Sequence, residues 1–255
     1  MTNKSVIVHV PIGVYAVVYA LGLLAVVRFA LSDVMYVSIA VAALAVLSAL
    51  AGRMIARHFF FAIVPVTLSI ASLTLLFFID SPRQQDVLIA LVGVLVYGVM
   101  LGSYRLSRQP RDAVARGMVI AGATTAVFFA YAAVFAVYLN FVIPAWVIGV
   151  CVFVVTTIIS WQYFVMIAHG RFVQTIVYAV ALGSVLTEAA LSAVAWPFGY
   201  LTTGVVLLMI YYILWDLAQS FFLDRLSKTR LVVNVIFFLG MATMVLVSAQ
   251  WLPVV

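Results

Sequence analysis

Nine apolar stretches, most near the length a helix needs to cross a bilayer, follow one another with only short polar breaks between them. A backbone in hydrocarbon has no water to bond to. Each crossing must therefore satisfy its own N–H and C=O groups, and the α-helix does so one segment at a time. Hydrophobic residues make up 68% of the chain and charged residues 8%, about a third of the charge a soluble domain carries. The expected fold is an all-α polytopic transmembrane bundle, with residues 1–255 as a single transmembrane domain and no soluble one.

Spans are expected at about 10–31, 34–51, 59–79, 87–104, 117–139, 145–168, 172–195, 201–223 and 231–251. The breaks carry residues that end helices or stay in water: Ser32-Asp33, Gly52-Arg53, Asp80 to Arg83, Arg105 to Arg116, Asn140 to Pro144, His169 to Arg171, Trp196 to Gly199 and Asp224 to Arg230. On this map eleven basic residues fall on the side of the N-terminus and only Arg28 and Arg83 on the other. Arg and Lys remain cytoplasmic, so the N-terminus is expected in the cytoplasm, the C-terminus outside, and the plasma (inner) membrane as the location. The first span reads as an uncleaved anchor, because no small-residue cleavage site closes a short apolar region.

The net charge of +6 does not point to nucleic acid, since the basic residues sit in short loops rather than in a basic domain. The lone Cys151 lies in an apolar stretch and has no second cysteine to pair with. Arg105-Leu106-Ser107-Arg108 recurs in type as Arg225-Leu226-Ser227-Lys228, each ending a span that enters from outside. If the recurrence reflects duplication, residues 32–140 and 141–255 are parallel halves of four spans each, preceded by one extra helix.

A charge within a span is costly and needs a partner, a wet cavity or a task, and Arg28, Glu188 and Asp216 are the candidates. Arg28 and Glu188 map to similar depth, which predicts an ion pair between them. The alternative has Arg28 reaching for the outer headgroups while Glu188 uses hydroxyls such as Thr187, Ser184 or Ser192. Asp216 is expected to pair with an inner-face arginine such as Arg57 or Arg171, or else to bind a proton or cation with help from Gln162, Gln174 or Asn234. His9, His58 and His169 all map to the inner leaflet, but no two share a helix at ligand spacing, so neither a metal nor any other cofactor is expected. Both lysines, Lys4 and Lys228, lie outside the spans, which excludes a mid-helix retinal Schiff base. The chain has no Gly-x-Ser-x-Gly elbow, His-Glu-x-x-His pair or phosphate-cradling glycine loop.

Arg105, Arg108, Arg111 and Arg116 gather at the inner face, where they fix topology and offer contacts to anionic headgroups. Gly98 and Gly102 form a small-xxx-small pair for close helix approach, and Ala45 with Ala49, Ser48 with Gly52 and Gly117 with Ala121 extend the theme. Pro65, inside the third span, is expected to kink it. Few intramembrane charges, many small-residue faces and no catalytic set favour a non-enzymatic subunit or assembly partner of a membrane complex. The implied partners are membrane lipids and, in that case, other membrane proteins, with the oligomeric state open. The competing class is a transporter or channel for a small solute, ion or lipid, using Glu188, Arg28 and Asp216.

Overall fold

The computed structural model describes residues 4–29, 34–56, 59–109, 112–167, 171–223 and 227–248. Among them it contains no strand and nine α-helices: α1 (Lys4–Phe29), α2 (Val34–Ala56), α3 (Ile63–Phe77), α4 (Pro82–Arg108), α5 (Ala113–Asn140), α6 (Ala145–Ile167), α7 (Phe172–Ala193), α8 (Tyr200–Phe222) and α9 (Lys228–Ser248). A 3₁₀ turn, Phe59–Ala62, leads into α3. The first eight helices are long and apolar enough to cross a membrane, and the chain is a multi-pass integral membrane protein. Its outward faces agree with that solvent: Val10, Val14, Val17 and Leu21 stand exposed along α1, and Val94 of α4 is 70% exposed. Apolar area on this scale is stable against lipid tails and would drive association in water.

Local chemistry sets the helix ends. Pro82 opens α4, where a missing N–H is harmless. Asp112 caps α5, its Oδ1 accepting from the N–H groups of Val114 at 3.0 Å and Ala115 at 3.1 Å. The turn between α3 and α4 is tied by Gln85, whose amide donates to the Ile79 carbonyl at 2.6 Å. One expected boundary is corrected here. The break between the fourth and fifth spans is much shorter than Arg105 to Arg116, because α4 continues through Arg108 and α5 starts at Ala113. With 27 residues α4 is about 40 Å long, more than the ~30 Å of hydrocarbon, so its last turns extend beyond the apolar layer. Pro65 is the third residue of α3, which follows directly on the 3₁₀ turn Phe59–Ala62. The proline inside a helix is Pro11, in α1.

The chain forms two compact units, Met1–Ala130 and Tyr131–Val255. This division falls within α5. In the first unit α1 packs on α4 and α2 on α3, around buried Tyr19, Leu23, Leu68, Leu76 and Met100. In the second, α6 and α7 form the most extensive helix pair and α8 packs against both, around Ile148, Phe164, Leu186, Leu207 and Tyr211.

Glycines make the close approaches in both units. A β-carbon on Gly102 of α4 would lie 2.8 Å from the Ala115 carbonyl oxygen of α5, and one on Gly122 of α5 would overlap the Val99 side chain. In the second unit, one on Gly183 of α7 would strike Thr157 and come within 3.1 Å of the Phe153 carbonyl oxygen of α6. Gly102 thus has the packing role expected of it. Gly98 and Gly117 do not, since nothing lies within 4 Å of a β-carbon placed on either.

Candidate intramembrane polar site

A hydroxyl in a lipid-embedded helix can always donate to the carbonyl four residues earlier, so a bond it makes to another helix is a structural choice. The first unit makes several. Tyr15 of α1 donates to Ser48 of α2 at 2.8 Å, Ser48 lies 2.7 Å from Ser69 of α3, and Ser69 donates to the Pro65 carbonyl at 2.7 Å. Since Ser69 spends its proton on that carbonyl, Ser48 is the donor to Ser69, and the relay runs one way across three helices. Tyr19 adds a second bond, 3.3 Å to Ser72. The group is neutral throughout.

Two ion pairs stand near the helix ends of the first unit. Arg28, in the last turn of α1, donates to Asp86 of α4 at 3.1 and 3.4 Å. α4 begins at Pro82, so Asp86, which the sequence places before the fourth span, is a helical residue one turn in, beside the end of α1. At the other end of α4, Arg105 meets Asp112 at 2.6 Å and the Arg108 guanidinium sits 4.3 Å from the centre of the Tyr104 ring. Asp112 is held below the usual carboxylate range, first by the Ala115 N–H and also by Arg105 and the Val114 N–H. Arg116 belongs to the first turn of α5 and is half-buried, while Arg111 lies outside the described residues. His9 of α1 is 2.8 Å from the Tyr97 hydroxyl of α4, and His58 and His169 lie outside the described residues.

The second unit has a similar hydroxyl core. Tyr131 donates to Thr156 at 2.6 Å, the Thr156 proton being given to the Val152 carbonyl. Ser160 donates to Tyr211 at 3.3 Å and Tyr163 to the Gln219 carbonyl oxygen at 2.8 Å. These bonds join α5, α6 and α8. Where the helical acid of the first unit, Asp86, is held by an arginine, this unit carries two acids within its helices.

Asp216 of α8 is 7% exposed, and its Oδ2 accepts from the Asn234 amide of α9 at 2.8 Å. Of the three amides suggested by the sequence, Asn234 is the one seen on the acid. Gln174 is exposed near the start of α7, and Gln162 is buried with both amide atoms unbonded among the described residues. Arg57, suggested as a partner, lies outside the described residues.

Glu188 stands five residues before the end of α7, about 7.5 Å along the axis, with its side chain exposed. Among the described residues no hydrogen bond or ion pair reaches its carboxylate. The hydroxyls suggested for it are used elsewhere: Ser184 donates to the Val180 carbonyl, Thr187 to that of Gly183 at 2.8 Å and of Gly149 on α6 at 3.3 Å, and Ser192 to the backbone carbonyl of Glu188 itself. Sequence reasoning missed both hydroxyl relays and the roles of Gly122 and Gly183. Their only signal was small and polar residues recurring inside spans.

Among the described residues no three His, Cys, Asp or Glu side chains gather as metal ligands would. Comparison with family models, with curated proteins and with solved structures finds no match.

Proposed function

We propose that this chain is a non-enzymatic subunit or assembly partner of a membrane complex, acting through helix contacts. The observation that carries this reading is Glu188, a carboxylate at span depth on the outward side of α7 that no hydrogen bond or ion pair reaches among the described residues. An acid there costs a few kcal/mol against lipid and is normally turned inward or paired, so its outward placement favours a surface that another membrane protein completes. The orientation that goes with the proposal is N-terminus cytoplasmic and C-terminus outside, in the plasma (inner) membrane, supported by eleven basic residues against two. Native mass spectrometry of the protein, extracted gently from its own membrane, tests it. A stoichiometric protein partner is the expected result, and a bare chain would overturn it.

A second reading, transport of a small solute, ion or lipid, is favoured by Asp216, a buried acid held by a neutral amide. A buried acid within a span marks a candidate site for a proton or cation. Solute retained by the bare chain, and flux lost in Asp216→Asn with the fold intact, are the results this reading requires.

A further inference from the structure

The α7–α8 face has a shape as well as a charge. Between these helices lies a groove of about 350 Å³ lined by Tyr178, Leu182 and Val185 of α7 and Leu214, Leu217 and Phe221 of α8. Its rim is open, with Val185 45% and Phe221 37% exposed, and Tyr178 stacks on Phe221 at 5.2 Å to close one end. Ala181, Val185, Glu188 and Ser192 follow one another at spacings of four, three and four residues, so one side of α7 carries the groove wall and then the carboxylate a turn further on.

We infer that this face receives a single transmembrane helix of a different protein, its small apolar side chains in the groove and a lysine or arginine at the depth of Glu188. The inference rests on the complex-subunit reading and names the surface it uses. Charge selects the occupant. A lipid tail fills a groove but offers a carboxylate nothing at that depth, whereas a basic side chain on a helix supplies both charge and donors. A second copy of this chain is a poor match, because Arg28 is already engaged by Asp86 and Arg83 sits in the first turn of α4.

Photo-crosslinking in native membranes tests this. p-Benzoylphenylalanine is placed at Val185 or Leu217 in the groove, and at Val94 of α4 as an exposed comparison. The expected result is one protein adduct from the groove positions, mapping to an apolar segment that contains Lys or Arg, and none from Val94. Glu188→Gln, with unchanged elution and melting, lowers the yield by about threefold to thirtyfold, the range an interhelical polar contact in lipid is worth. Adducts only to lipid, adducts to a second copy of this chain, a mapped segment without a basic residue, or a yield indifferent to Glu188→Gln would each overturn the inference. If native mass spectrometry finds a partner that crosslinks from Val94 and not from the groove, this face is wrong and the subunit reading stands. If neither method finds a protein, both fail.

Discussion

The two units solve the same packing problem and differ in what they leave unfinished. Each has close helix approaches at glycine and a core of tyrosine hydroxyls bonded to serine or threonine on a neighbouring helix. In the first unit the core is neutral and the ion pairs Arg28–Asp86 and Arg105–Asp112 stand at the helix ends. In the second, one acid is buried against an amide and another faces outward with no hydrogen bond or ion pair to its carboxylate among the described residues. Stability alone does not ask for either, since a leucine at both places would suit lipid better. On the proposed reading, the difference assigns contacts with a partner to the second unit and scaffolding to the first.

If packing is what the units share, overfilling it should cost both alike. Gly183→Leu and Gly122→Leu are each expected to destabilise the protein by about 3 kcal/mol or more, because the new side chain meets a backbone carbonyl in one case and a packed valine in the other. Gly98→Leu, with open space around it, should stay within about 0.5 kcal/mol of wild type. Unfolding in mixed detergent micelles measures all three. A neutral Gly183→Leu would mean that α6 and α7 are not close-packed, and the comparison would lose its common term.

The next largest effect should separate the units. Asn234→Leu removes a donor from the buried Asp216 carboxylate and is expected to cost about 1–3 kcal/mol. Asp216→Leu combined with Asn234→Leu should cost less than the two single changes summed, since the pair is coupled. Strict additivity would show that Asp216 does not depend on α9. Ser69→Ala, in the neutral relay of the first unit, is expected to cost only about 0.6 kcal/mol, the usual size of a hydrogen bond between membrane helices. A loss as large as that of Asn234→Leu would erase the distinction between a neutral and an acidic core.

Hydropathy made the helices legible, because in lipid each crossing must be apolar for about 20 residues and any interruption is conspicuous. The eighth span was expected at 201–223 and α8 runs Tyr200–Phe222. Charge rarity likewise singled out Glu188 and Asp216 from the sequence alone. Facing direction was not legible. Gly98 and Gly102 sit one turn apart in the same motif, yet only Gly102 meets a neighbour, because the path of α5 across α4 decides the matter and no local pattern encodes it. The Arg28–Asp86 pair was not legible for a related reason. Asp86 was read as a loop acid, and only the early start of α4 at Pro82 turns it towards α1.

The smallest effect expected belongs to the paired end of the first unit. Asp112 is held below the usual carboxylate range, so its charged form is favoured by folding. The resulting stabilisation is complete above the unfolded carboxylate value of about 3.9 and disappears as pH falls through the lower folded value. Asp112→Asn keeps an oxygen for the cap and loses the charge, so the melting temperature of wild type minus that of the variant should be constant at neutral pH and shrink in acid. Other carboxylates titrate in both proteins and cancel in the difference. A gap that stays constant into acid would show that the cap and Arg105 do not favour the charged form, and that this end of the first unit is no better settled electrostatically than the exposed carboxylate on α7.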